Sequence, residues 1–578
     1  MRNMRFRDFW MGIGLCFLLF SCIEKRASDS GLSPIEPYHY VSTKKLVSQK
    51  GGVASAHPLA SAIGAAVLEK GGNAIDAGIA MQWALAVVYP EAGNIGGGGF
   101  TVIHLANGKN TSLNYREKAP GEAHKTMFQD SSGRVIPRAS RDGGLAIGVP
   151  GTVAGLFLAH KRYGSLPMEE LIAPAIDLAQ KGYALTEKAA AVFNLHQRLL
   201  KKFNPEGNAF IKEGGWKKGD TLIQKDLAQT LKRIQDQGQA GFYQGKTAEL
   251  ITAEMEAQSG LISAADLMSY QAEERTPLVF DYKGHQVVTM PPPSSGGIVL
   301  QQMLGMLSEY PIADYGFSTL KSVQLMTEIE RRAFADRASY LGDPNFVEVP
   351  LKALADPEYL KARMEDYDSS KASSSEAITA GKLLQESKET THLVALDSLG
   401  NAVSTTYTLN GNFGSHVVVQ GAGFVLNNQM DDFSAKAGVP NKNGLILRTD
   451  ANAIEPNKRM LSSMTPTIVL KEGRPFLVLG SIGSATIITS VFQSIVDIID
   501  FGLSVEQAVN APKFHMQWQP DLIEKEKGFP DSIVAPMKKM GYSFKERKAI
   551  GRTEIIKVEG DRIEIVADHR GDDSAAGY

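Results

Sequence analysis

The sequence predicts an α+β fold in which two sheets are covered by helices on both sides. Three observations point there. Helical patterns dominate up to about residue 274 and return over 320–340. Strand patterns dominate after Thr390. With 578 residues, 43% of them hydrophobic and 21% charged, the chain has an ordinary globular composition and can bury a large core.

Residues 1–21 read as a targeting segment rather than as fold. Arg2, Arg5 and Arg7 precede an apolar run over 9–20. That run is too short to span a bilayer comfortably as a mature helix. Leu19-Phe20-Ser21-Cys22 resembles a bacterial lipoprotein cleavage site. Cys22 is therefore expected to become the lipid-bearing first residue, with a plain secretory signal as the alternative. Cys16, the other cysteine, would leave with the signal, so no intramolecular disulfide is expected. Residues 22–49 are polar with prolines and read as a tether. Attachment to the envelope membrane would be through lipid, in the periplasm or at the outer membrane.

Residues 59–70 read as a helix stopped by Gly71-Gly72. Asn73 can cap the next, apolar helix, which runs to Val88 and ends at Pro90. Residues 100–104 and 111–115 read as strands around an Ala106-Asn107-Gly108 turn. Past 390, helices are expected near 485–500 and 505–510. Residues 372–380 are the one low-complexity patch, and no internal repeat is visible.

Several chemistries are excluded. The net charge of −2 gives no sign of a nucleic-acid surface. Gly241-Phe242-Tyr243-Gln244-Gly245-Lys246-Thr247 resembles a phosphate loop, but Ala240 breaks the glycine spacing by one. The run from Gly93 to Gly99 does not follow the dinucleotide-binding spacing. Ser481 lacks the glycine two residues before it that a serine-hydrolase elbow needs. No paired-cysteine or His-Glu-x-x-His metal pattern occurs. No metal or organic cofactor is expected.

The most telling stretch is Glu389-Thr390-Thr391-His392-Leu393-Val394-Ala395-Leu396-Asp397. A polar run rich in Ser, Ala, Lys and Glu precedes it, where a chain could be cut. A cut before Thr390 would leave its hydroxyl beside a free α-amine. That is a nucleophile and its base in one residue. The amine has a reference pKa of about 7.7–8.0, suited to taking the hydroxyl proton. Alone, Thr390 could equally be the ordinary start of a strand. A turn over 397–401 and a second strand over 402–408 complete a hairpin. His392 falls on the same strand face as Thr390 by alternation, but it reads as structural, since the amine already supplies a base.

Further motifs follow this hairpin and precede it. They are Thr408-Leu409-Asn410-Gly411-Asn412-Phe413-Gly414, Leu426-Asn427-Asn428-Gln429-Met430-Asp431-Asp432-Phe433-Ser434 and Asn457-Lys458-Arg459-Met460-Leu461-Ser462-Ser463-Met464-Thr465-Pro466. Upstream lie Gly93-Asn94-Ile95-Gly96-Gly97-Gly98-Gly99-Phe100, Tyr115-Arg116-Glu117-Lys118-Ala119-Pro120 and Gly148-Val149-Pro150-Gly151-Thr152-Val153-Ala154-Gly155. Met290-Pro291-Pro292-Pro293-Ser294-Ser295-Gly296-Gly297 and Tyr340-Leu341-Gly342-Asp343-Pro344 complete the set. In this order, from about residue 51 to 578, the chain resembles the γ-glutamyltransferases, members of the N-terminal-nucleophile hydrolases.

That resemblance implies a four-layer αββα sandwich built from two autoprocessed chains, 50–389 and 390–578, cut between Glu389 and Thr390. It implies γ-glutamyl amides such as glutathione as donors, and water, amino acids or dipeptides as acceptors. A γ-glutamyl group carries an α-carboxylate, an α-ammonium and a neutral amide. The resemblance puts Arg116 on the carboxylate, where a planar guanidinium can bind bidentately. It puts Ser462 and Ser463 on the same carboxylate. Asp432 falls on the ammonium, with Asn410 and Gln429 beside it, and Thr408 on the nucleophile. Gly483 and Ser484 fall on the oxyanion hole.

Two departures stand out. Where the family has a proline and two glycines, this chain reads Ile482-Gly483-Ser484. Serine keeps the N–H that an oxyanion needs but resists positive φ. In the stretch 437–448, which resembles the family's lid, Asn443 replaces an aromatic residue. Two other readings stay open. One is a related amidase such as a cephalosporin acylase, the other a catalytically silent surface binding protein of the same fold.

Overall fold

The computed structural model describes residues 32, 35–378, 389–436 and 450–578, with the backbone alone at Glu389 and Thr390. Two seven-stranded sheets form the centre. The first runs, in spatial order, Ser574–Gly577, Gly52–Ser55, Glu389–Leu396, Ala402–Asn410, Gly98–His104, Asn110–Tyr115 and Glu273–Arg275. The second runs Lys45–Ser48, Arg562–Val566, Arg552–Glu559, Arg474–Ile482, Thr467–Lys471, His285–Thr289 and Leu278–Tyr282. Neighbouring strands in both are antiparallel.

Alternation along the strands sorts side chains into layers. Val394 and Leu396 face inward and pack with Phe100 and Val102 against Ile468, Val478 and Ile556. Leu393 and Ala395 face outward, onto the helices Pro58–Glu69 and Ala74–Val88. The second sheet turns Val469, Leu477 and Ile555 toward the helices Gly296–Ser308, Leu320–Tyr340 and Thr486–Ile499. This is the expected αββα order. Burying each such side chain contributes about 1.5–3 kcal/mol.

Local signals set the element ends. Asn73 caps its helix by accepting from the Ile75 and Asp76 N–H groups, while Asp76 accepts from the Asn73 N–H. The hairpin turn closes where Asp397 and Asn401 pair. The stretch excluded as a phosphate loop spans one helical turn, Ala240–Tyr243, and the start of the helix Gly245–Ala257. One expectation needs adjustment. Lys45–Ser48, inside the stretch read as a tether, is an edge strand paired with Arg562–Val566. Four residues are too few for periodicity to mark it. The N-terminal residues 1–31, including Cys22, and the lid stretch with Asn443 lie outside the described residues. Among the described residues no helix is long and apolar enough to cross a membrane.

Candidate active site

Thr390 lies near the start of the Glu389–Leu396 strand, in the middle of the first sheet. Glu389 pairs with Asn410 and Thr391 with Tyr407. Thr390 therefore stands opposite both Thr408 and Leu409. This is a β-bulge in the partner strand, a device common beside active sites. Asn410 ends the bulge at φ 77°. Its N–H donates to Thr408 Oγ1 at 2.7 Å, and its amide Nδ2 donates to the Asn428 carbonyl at 2.9 Å. Thr408 and Asn410 are thus bonded to each other alongside the suspected scissile peptide.

The glycine motifs exist because backbone meets backbone here. A Cβ on Gly97 would lie 2.0 Å from the Thr408 carbonyl, and one on Gly98 2.4 Å from that of Tyr115. Asn427 stitches these motifs together. It donates to the Gly96 and Gly148 carbonyls and accepts from the Gly148 and Gln429 N–H groups. The turn Gln429–Asp432 is thereby hung on the first sheet.

That turn faces Arg116. The guanidinium Nη2 donates to Asp432 Oδ2 at 2.5 Å and to the Leu461 carbonyl at 3.1 Å. Gln429 Nε2 donates to the same Asp432 oxygen at 2.6 Å. All three side chains are buried. Burial pushes the Asp432 carboxyl up, and the Arg116 guanidinium pulls it back down. Glu117 is also buried, with Oε2 3.6 Å from Arg116 Nη1. Burial drives its carboxyl up to about 7, against the pull of Arg116.

Ser462 and Ser463 follow directly on the carbonyls that Arg116 holds. Ser462 Oγ accepts from the Met464 N–H at 3.2 Å, and Ser463 Oγ accepts from Arg337 Nη2 at 2.9 Å. Each hydroxyl keeps a proton to donate, which suits an anionic ligand. Asn452 joins the two halves: it donates to the Asp432 carbonyl and accepts from the Leu461 N–H. Sequence reasoning missed Asn452, Asn427, Glu117 and Arg337. Glu117 sat in a quoted motif beside Arg116 and could have been found there.

Gly483 and Ser484 follow the Arg474–Ile482 strand, which packs across the sheet gap from the Glu389–Leu396 strand. Both have positive φ, 122° and 66°. Among the described residues neither N–H has an acceptor. A Cβ at Gly483 would lie 2.5 Å from Thr486 Oγ1, so glycine is needed there. Ser484 occupies the left-handed region that an L side chain resists.

His392 points into the gap between the sheets. Its Nδ1 lies 2.9 Å from Thr406 Oγ1, and its ring covers Gly480. Burial lowers its pKa to about 3. The imidazole is neutral at ordinary pH and fully enclosed, as a structural residue would be.

The comparisons agree with this geometry. The family model described as Gamma-glutamyltranspeptidase matches residues 60–578. The glutathione hydrolase proenzyme of Escherichia coli (strain K12) is 46% identical over 536 residues, covering 92% of each chain. The crystal structure of cephalosporin acylase from Bacillus halodurans superposes with a TM-score of 0.81 at 26% identity, covering 94% of this chain and 99% of that one. The Helicobacter pylori gamma-glutamyltranspeptidase structure gives a TM-score of 0.56 at 44% identity, covering 60% of this chain and 97% of that one.

Proposed function

The chain belongs to the gamma-glutamyltranspeptidase family, and from that premise we propose that it is an autoprocessing γ-glutamyltransferase and glutathione hydrolase. In maturation the Thr390 hydroxyl attacks the Glu389 carbonyl. The peptide nitrogen leaves as the Thr390 α-amine, and an ester to Oγ1 forms. Water then releases the Glu389 carboxylate. Residues 50–389 become the large chain and 390–578 the small one, held together because both sheets draw strands from each.

In turnover the freed amine takes the hydroxyl proton as Oγ1 attacks the γ-amide carbonyl. Gly483 and Ser484 N–H groups receive the oxyanion. The amine passes its proton to the departing amine, leaving a γ-glutamyl ester on Thr390. Water, an amino acid or a dipeptide then accepts the glutamyl group. Arg116, Ser462 and Ser463 hold the α-carboxylate. Asp432 takes the α-ammonium, with Gln429 and Asn410 fixing the surrounding polar groups. Thr408 steadies the nucleophile's end of the strand.

The observation that carries this reading is the buried Arg116–Asp432 pair directly beside Ser462 and Ser463. It sets a cation, an anion and two hydroxyls together, as an amino-acid head group requires. Attachment through a lipid on Cys22, and residence in the cell envelope, rest on the Leu19-Phe20-Ser21-Cys22 pattern. The test is a chromogenic γ-glutamyl anilide set against the glutaryl anilide. Fast release from the first supports the reading. A preference for glutaryl would favour the acylase alternative, and release from neither would favour a silent binding protein.

A further inference from the structure

Arg337 is an internal residue of the Leu320–Tyr340 helix, in the layer outside the second sheet, and is 1% exposed. Its guanidinium reaches two hydroxyls. Nε donates to Ser295 Oγ at 2.8 Å and Nη2 to Ser463 Oγ at 2.9 Å. Ser295 in turn donates through Oγ to the Ser462 carbonyl at 2.6 Å, and its N–H donates to the same carbonyl at 2.7 Å. The neighbouring Ser294 Oγ donates to the Met464 carbonyl at 2.6 Å. The Ser462 N–H closes the network on the Pro293 carbonyl at 3.0 Å. The proline–serine motif thus serves as a clamp on residues 462–464, and Arg337 braces the clamp from behind.

We propose that Arg337 is a positioning residue for the substrate α-carboxylate, acting through Ser463 and, by way of Ser295, through the Ser462 main chain. This rests on Ser463 being a carboxylate ligand. A hydroxyl can accept and donate at once. With Arg337 filling an acceptor lone pair of Ser463 Oγ, the hydroxyl proton is directed elsewhere and polarised toward an anion. A planar fork is needed because two hydroxyls are held by different nitrogens of one group. A lysine ammonium has one nitrogen and cannot reproduce that geometry. The guanidinium also keeps its charge across the working pH range, so its effect is constant with pH.

The experiment compares Arg337→Lys, Ser463→Ala and the double variant on a γ-glutamyl anilide. Arg337→Lys should raise KM about tenfold, as expected for weakening a hydrogen bond to a charged group. kcat should change by less than about threefold, since the carboxylate is bound alike in ground and transition states. The loss should be the same at every pH tested. In the Ser463→Ala background Arg337→Lys should cost no more than about threefold further, because only the route through Ser295 remains. Should Arg337→Lys fail to mature, Ser295→Ala decides: it leaves the charge in place and is expected to raise KM about threefold. Losses that multiply in the double variant, or a fall in kcat at constant KM, would overturn the positioning role. A wild-type protein that does not cleave the anilide would instead overturn the functional reading beneath it.

Discussion

Arg116 and Asp432 are 316 positions apart in sequence, yet Nη2 of one lies 2.5 Å from Oδ2 of the other inside a buried site. The two charges assigned to opposite ends of an amino-acid head group thus also hold each other. Removing one partner of such a pair typically costs about 2–5 kcal/mol. Asp432→Asn should cut kcat/KM for γ-glutamyl anilides on that scale and leave glutaryl anilides, which lack the ammonium, much less affected. Equal losses on both substrates would show that Asp432 does not read the ammonium.

Ser484 holds φ 66° in the turn proposed to receive the oxyanion, a conformation that costs an L residue about 1–2 kcal/mol. Ser484→Gly should relieve it, raising the melting temperature slightly and kcat with little change in KM. The gain should be smaller than the 10²–10³-fold effect of deleting a donor, because the N–H is present in both forms. Maturation should quicken if the same turn serves it. An unchanged or lowered kcat would mean that Ile482 and Ala485 have shaped the loop around serine.

Glu117 gives a pH dependence. Its carboxyl is raised from an ordinary value near 4.5 to about 7. It is neutral below that pH and ionised above it. Ionised, it competes with the substrate carboxylate for Arg116. Inhibition by free glutamate should therefore weaken as pH rises through about 7, and Glu117→Gln should flatten that trend. For stability the sign is the same. The native state holds a proton that the unfolded chain releases near 4.5, so this contribution is present at low pH and fades as pH rises through 7. An inhibition constant that stays flat in wild type would remove Glu117 from the account.

Gly480 lies flat against His392: an added Cβ would sit 2.2 Å from Cε1 of an enclosed ring. Gly480→Ala should force the Glu389–Leu396 strand and the Arg474–Ile482 strand apart. The cost is about 1–3 kcal/mol, typical of overpacking. Cleavage into two chains should slow, as followed on a denaturing gel. Unaltered cleavage would mean that the gap tolerates the methyl group.

Much of this was legible in the sequence. Asn73 and the 320–340 helix follow from local capping and periodicity, and the hairpin after Thr390 from its turn. The helix Gly296–Ser308 was hidden by the prolines and glycines that open it. The edge strand Lys45–Ser48 was hidden by its brevity. At the site, Arg116, Asp432, Ser462 and Ser463 were found by resemblance, and the structure brings them together. Asn452, Asn427 and Arg337 escaped because their meaning lies in partners far along the chain. A lone buried polar residue leaves no periodic trace.

The central claim is that Thr390 becomes both the first residue of the small chain and the residue that carries the glutamyl group. Mass spectrometry of purified protein, quenched during turnover of a γ-glutamyl anilide, tests both halves. The expected result is a small chain beginning at Thr390, with one glutamyl adduct on that residue, and a Thr390→Ala variant that stays a single unmodified chain. A small chain that begins elsewhere, an adduct on another residue, or cleavage of pure Thr390→Ala protein would contradict the account.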